Sequence, residues 1–515
     1  MQTYHHAYQP DAETRGHVTV RRVRHIVGLL CGFTIGWLFA ALVAGMRPLL
    51  QETTNADHAV VAAGLTALAL GIRLPHGLAT AIAKWFWRRT HHQLTISSLS
   101  AAPRDRHLLW LVVATVTLPA GLSVACLPLL IDLAQRVHGY AHAHFFWMAP
   151  AQVILVFLIA GLIILVPLAL TGVALAALNQ LASFDRLRSP PITATILLGA
   201  AAGAAAVNGL IESVLSLKLL TLLGSVPLFL IAIIAAQQSG PPAAGREESS
   251  PLPDTAAPEW ASRDAMPARL IAALVAASGT VALILWTILL SSPALPKAHG
   301  LQPVGLYSPP GQTITSAFAP QNSSAKRNAL VITTTTALSC LLLAASLGST
   351  IVARATSFSA RPHFALGTTC ALAGLLTIGP AVGLITLYEH ARSIPLTAML
   401  AWAIGSIVAC AAALTGAQHF VLKRATRPHA ATATLAAECA WMPAIALLTF
   451  TFVAPDGHHC RVMLVAAGLA LAAAAVVVFV HAPVVSNARR LAPPALVFLV
   501  AIGTIRFLPH LLQSG

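Results

Sequence analysis

The sequence predicts an all-α polytopic membrane protein, a helical bundle of 12–13 transmembrane helices. Three observations carry that expectation. Charged residues make up only 9% of the 515-residue chain and hydrophobic residues 57%, whereas a soluble domain carries roughly 25% charged residues. Long apolar runs recur at 26–46, 270–290 and 461–480, and a helix needs about 20 apolar residues to cross the hydrocarbon core. Lysine and arginine collect in alternate gaps between such runs, as the positive-inside rule requires of a nearly correct span count.

The spans are read in order as 26–46, 59–83, 107–131, 145–179, 192–213, 215–236, 270–290, 329–353, 364–387, 395–421, 430–453, 461–480 and 492–511. The fourth is too long for one upright crossing and contains Pro167, so a kink or an interfacial entry segment is expected rather than two crossings. The last is the least apolar, with Arg506 and His510 near its end.

Orientation follows from the loops. With the N-terminus in the cytoplasm, the gaps holding Arg21, Arg22 and Arg24, then Arg88 and Arg89, then Arg186 and Arg188, and later Lys423, Arg424 and Arg427 all fall inside. The outside gaps are poorer in such residues. An inner (cytoplasmic) membrane with a cytoplasmic N-terminus is therefore expected, and the lipid bilayer is the obligatory partner. The formal net charge of +15 is explained by these loop charges, so no nucleic-acid partner is expected.

The organisation reads as a cytoplasmic tail over 1–25, a first six-helix half over 26–236, a cytoplasmic linker over 237–269, a second six-helix half over 270–483 and an additional C-terminal helix over 484–515. The linker is rich in Pro, Ala, Ser and Glu and lacks apolar periodicity. Short echoes relate the halves. ALTG stands at Ala169–Gly172 and again at Ala413–Gly416. TAT plus an aliphatic opens the fifth span at Thr193–Ile196 and the eleventh at Thr432–Leu435. An aliphatic-Gly step falls at Leu70-Gly71 and at Leu347-Gly348. Duplications of this kind underlie many transporter folds.

Three stretches resemble the membrane domain found fused to spermidine-synthase-like enzymes. They are VVAAGLTALALGIRLPHGLA (Val60–Ala79), IILVPLALTGVALAALNQLA (Ile163–Ala182) and TATILLGAAAGAAAVNGLI (Thr193–Ile211). The resemblance implies a fold similar to the major facilitator superfamily. The enzymatic part of that family is a soluble domain with a Gly-rich loop, and no stretch here matches it. The chain is therefore not expected to be an enzyme or to hold a cofactor.

Ionisable groups inside spans are costly and mark function by default. Glu438, in LAAECAWMPA of the eleventh span, is the acid nearest mid-membrane, and His419 lies toward the cytoplasmic end of the tenth. Asn208 beside Gly209 is a third polar group, suited to an interhelical hydrogen bond or to a substrate. Arg73, in the cytoplasmic half of the second span, is read as snorkelling to the headgroups. On the outside, HGYAHAH supplies His138, His142 and His144, and DGHHC supplies His458, His459 and Cys460. Imidazole and thiolate suit zinc or copper, and in an extended segment an HxH pair projects to one side. Solvated surface histidines are the plainer reading in a chain with 21 of them. Gly32 and Gly36, with Gly199 and Gly203, have the spacing that lets helix backbones approach closely.

Two functions fit these features. One is a facilitator-like transporter or permease of a small, neutral or weakly charged solute. The other is a non-transporting membrane scaffold or anchor, a subunit of a larger complex with a protein partner. The two-half organisation favours the first, and the poverty of polar residues in spans one, four and seven favours the second.

Overall fold

The computed structural model describes residues 12–50, 56–73, 101–145, 149–183, 192–212, 217–239, 323–355, 362–390, 396–424 and 457–480, with isolated positions in 275–282 and 441–445. These residues are helical apart from short turns at Cys126, Gly224-Ser225, Ser239 and Ala355. The helices are α1 (Ala12–Leu50), α2 (Ala56–Arg73), α3 (Ala101–Ala125), α4 (Leu127–Phe145), α5 (Ala149–Ser183), α6 (Ile192–Glu212), α7 (Leu217–Leu223), α8 (Val226–Gln238), α9 (Ser323–Arg354), α10 (Pro362–His390), α11 (Leu396–Arg424) and α12 (Gly457–Val480). Four segments, Arg22–Val43, His107–Ala125, Ile154–Leu181 and Lys218–Gln238, are long and apolar enough to cross a membrane. The described residues form a bundle of apolar helices.

Several boundaries differ from the sequence reading. Helix α1 starts at Ala12, inside the stretch expected as a tail. The third span does not run to 131. It ends at Ala125, turns at Cys126 and resumes as α4, which takes in the outside gap expected over 132–144. Pro128 has no N–H to offer the carbonyl of Val124, and this loss places the turn. The sixth span is likewise divided, into α7 and α8, beside Pro227. Span four is one continuous helix with Pro167 inside it. The seventh and eleventh spans lie outside the described residues except at isolated positions, and the thirteenth lies wholly outside them.

Helix pairing follows the small residues. A Cβ at Gly32 or Gly36 would strike the carbonyls of Ile196 or Ala200, and one at Gly199 or Gly203 would strike those of Leu29 or Phe33. The two glycine pairs thus face each other, which sets α1 directly against α6. On α2, Gly71 abuts the Ala169 carbonyl at the start of the first ALTG, and Gly172 of the same motif abuts Leu68. On α9, Gly348 abuts the Val408 carbonyl, Ala411 and Ala412, just before the second ALTG. The motif threonines behave alike: Thr171 donates to the Pro167 carbonyl at 2.7 Å and Thr415 to that of Ala411 at 2.9 Å.

Pairing recurs at a coarser level too. Helix α2 packs on α5, and α3 on both α5 and α8. In the same chain order, α9 packs on α11, and α10 on both α11 and α12. The α6–α9 contact joins the two sets. Each set has its own apolar core. One includes Leu38, Ile164, Leu168, Leu178 and Ile231; the other includes Leu366, Cys370, Cys410, Phe420 and Leu471, with Ala62 of α2 reaching into it.

Candidate functional site

Polar side chains gather about three turns into α1, at the start of α6 and α10, and toward the end of α5, α9 and α11. Arg24 is only 3% exposed. Its Nη1 donates to the Leu181 carbonyl at 3.0 Å. Leu181 lies in the last turn of α5, whose final carbonyls have no partner within the helix and carry the negative end of its dipole. A guanidinium there satisfies a carbonyl and complements the dipole together.

The next residue ties α1 to α6, with His25 Nδ1 3.0 Å from Thr195 Oγ1. Two residues earlier on α6, Thr193 donates to Gln418 Oε1 of α11 at 3.0 Å. Between them, the Ala194 carbonyl accepts a buried hydrogen bond from Ser346 of α9 at 2.8 Å. The TAT triplet at the start of α6 is therefore held by three helices, one of which comes from its own set. His419 follows Gln418 and is half-buried. Beyond it, the Phe420 ring meets the His363 ring of α10 edge to face, with centroids 4.9 Å apart.

This layer supplies hydroxyl, amide, imidazole and guanidinium groups on five helices. Each contact just described runs from one helix to another, so the arrangement latches helices together. Of the residues expected from sequence, only His419 falls in it. Asn208 sits near the far end of α6, and Glu438 lies outside the described residues. Arg73 is the last described residue of α2 and is exposed.

The outside histidines occupy helical backbone, not the extended segment assumed for the HxH pair. His138, His142 and His144 are on α4, and His458, His459 and Cys460 are in the first turn of α12. On a helix, positions 142 and 144 stand about 200° apart around the axis, whereas 138 and 142 share a face. Among the residues whose side chains are described, no three His, Cys, Asp or Glu groups come together.

Arg24, His25, Thr193, Thr195, Ser346, His363 and Gln418 were not distinguished as site residues by sequence reasoning. Arg24 counts there as a loop charge and TAT as a repeat echo. The available signal is that three hydrogen-bonding residues, Thr193, Thr195 and Gln418, stand within one turn or two of span ends that are otherwise apolar.

At the opposite end, Trp37 organises the α7–α8 break. Gly224 N–H bonds to the Thr221 carbonyl at 3.1 Å instead of reaching Leu220. The released Leu220 carbonyl accepts from Trp37 Nε1 at 2.7 Å. A Cβ at Gly224 would collide with the indole.

No family model matches the chain, and no curated protein matches it. Among solved structures it is similar to the xylose transporter XylE from E. coli in a partially occluded inward-open conformation. The likeness covers 90% of this chain and 98% of that chain, at 13% identity and a TM-score of 0.48.

Proposed function

We propose that this protein is a facilitator-like transporter or permease of a small, neutral or weakly charged solute. It would sit in the inner membrane with its N-terminus in the cytoplasm, and would not be an enzyme. The observation that supports this reading best is the recurrence of one pairing scheme in two sets of helices, with a glycine beside an ALTG motif in each. Two similar halves meeting at a seam are the architecture of carriers that work by rocking one half against the other. The Thr193–Gln418 and Ala194–Ser346 hydrogen bonds cross that seam at the proposed cytoplasmic end. The proposal includes kinship to the membrane domains fused to spermidine-synthase-like enzymes, on the three stretches quoted above.

A scaffold remains the second reading because Thr34 of α1 and Thr171 of α5 give their hydroxyls to carbonyls of their own helices. Such hydroxyls are already satisfied without a solute. One experiment separates the two. Spin labels replace Arg22 on α1 and Arg354 on α9, both exposed at the same end, in a background cleared of native cysteines and reconstituted in vesicles. A carrier gives two distance populations, and osmotic swelling with a panel of glycerol, pentoses and hexoses identifies a permeating solute. One narrow distance together with no swelling would reject transport and leave the scaffold.

A further inference from the structure

Helix α4 exposes large apolar residues at the surface of the bundle. Leu129 is 71% exposed, Leu133 57%, Val137 47% and Tyr140 64%. Their spacing of four, four and three residues puts them on one face. The opposite face, with Leu127, Ile131 and Ala134, is buried against the bundle. A helix apolar on both sides needs an apolar neighbour on each.

The neighbour follows from what precedes α4. The turn at Cys126 keeps the helical register, since Cys126 N–H bonds to the Leu122 carbonyl at 3.1 Å and Leu130 N–H to that of Cys126 at 3.2 Å. The exposed face of α4 therefore continues the exposed face of α3, where Leu118 is 50% and Leu122 56% exposed. Helix α3 belongs to a segment long and apolar enough to cross the bilayer, so that face is presented to acyl chains. The path from His107 to Tyr140 measures about 50 Å at the rise of a helix, more than the ~30 Å hydrocarbon core. An upright crossing from His107 uses up that thickness about where α3 ends, so α4 starts at the headgroup layer and stays in it only by running along the surface.

Its polar residues suit that depth. Asp132 stands at the side of the stripe and pairs with Lys218 of α7 at 2.8 Å. Arg136 is exposed on the flank of the stripe, where its stem can lie along the apolar face while its guanidinium reaches phosphate. Tyr140 closes the stripe with a ring of the kind enriched at membrane–water interfaces.

We propose that α4 is a membrane-surface anchor whose Leu129, Leu133, Val137 and Tyr140 face is covered by lipid, in the leaflet away from the end where α1 begins. Such an anchor would hold the α3–α5 connection against the bilayer. It would also fix the height of the Asp132–Lys218 pair and so of the broken α7–α8 segment.

The test places single nitroxide labels at Leu129, Asp132, Leu133, Arg136 and Val137 of the full chain, again without native cysteines. The protein is reconstituted alone in phosphatidylethanolamine–phosphatidylglycerol vesicles. Relaxation by molecular oxygen, which partitions into lipid, is compared with that by a water-soluble nickel chelate. Oxygen should dominate at Leu129, Leu133 and Val137, and the balance should reverse at Asp132 and Arg136. Dominance of the chelate at all five positions would overturn the proposal in favour of an aqueous helix. Low accessibility to both reagents at Leu133 would overturn it in favour of a second copy covering the face. Should the Leu133 label block insertion, Leu129 and Val137 report the same face independently.

Discussion

Thr193 Oγ1 donates to Gln418 Oε1 at 3.0 Å, joining the first turn of α6 to the end of α11 across the two sets of helices. One neutral hydrogen bond contributes about 1 kcal/mol, which is roughly a fivefold change in an equilibrium. Thr193→Val should shift the Arg22–Arg354 label populations toward the form open at that end by about this factor. Gln418→Leu should do the same, and the double variant should add little to either single one. Equal and additive effects would mean that the two residues act through other neighbours.

Trp37→Phe is expected to lower the thermal midpoint of the detergent-solubilised protein. The change keeps an aromatic ring against Phe33, whose centroid lies 5.5 Å away, but withdraws the donor from the Leu220 carbonyl. That carbonyl has been released by the helix break, and leaving a buried acceptor unmet costs about 1–3 kcal/mol. An unchanged midpoint would show that Leu220 finds another donor.

Two glycine replacements should have opposite signs although both sit inside helices. Gly36→Ala puts a methyl against the Ala200 carbonyl and forces α1 from α6, at a cost of about 1–3 kcal/mol by overpacking. Gly139→Ala meets nothing within 4 Å on α4 and should gain up to about 1 kcal/mol from helix propensity alone. Paired thermal unfolding of the two variants checks the difference in sign.

Arg24→Gln should destabilise more than Arg24→Lys. The buried guanidinium donates to the Leu181 carbonyl, and a charged hydrogen bond of this kind is worth about 1.5–3 kcal/mol. Lysine preserves the charge at the negative end of α5 but presents it as a point rather than a fork. Thermal midpoints in the order wild type, Lys, Gln are expected. A Gln variant as stable as the wild type would reduce Arg24 to a topology charge.

If the protein transports and Glu438 is its protonatable group, Glu438→Gln should abolish proton-coupled uptake while leaving expression intact, since an acid placed within a span is a functional candidate by default. In the scaffold reading the same change is nearly silent, because glutamine preserves the shape of a protonated carboxyl. A pH jump across proteoliposomes containing an internal dye reads the proton flux directly.

Crossing segments were legible in the chain because solvation acts on composition: apolar length alone decides what is stable in hydrocarbon. Spans 192–213 and 395–421 therefore nearly coincide with α6 (Ile192–Glu212) and α11 (Leu396–Arg424). Gly32, Gly36, Gly199 and Gly203 were legible as close-approach positions for a similar reason, since small residues at a spacing of four leave a groove on any helix.

Which groove meets which was decided by the tertiary structure. Nothing local to α1 says that its glycines face those of α6 rather than those of α2. The polar layer has the same origin. Arg24, Thr193 and Gln418 are ordinary span-end residues one at a time, and their hydrogen bonds exist only because packing brings helix ends distant in sequence to one level. Helix α4 shows the converse. Its apolar stripe is written in the sequence at 129, 133, 137 and 140, but the polar residues among them made the segment read as a loop. Whether such a stripe is core or surface depends on the face that the bundle leaves uncovered, and periodicity carries no information about that.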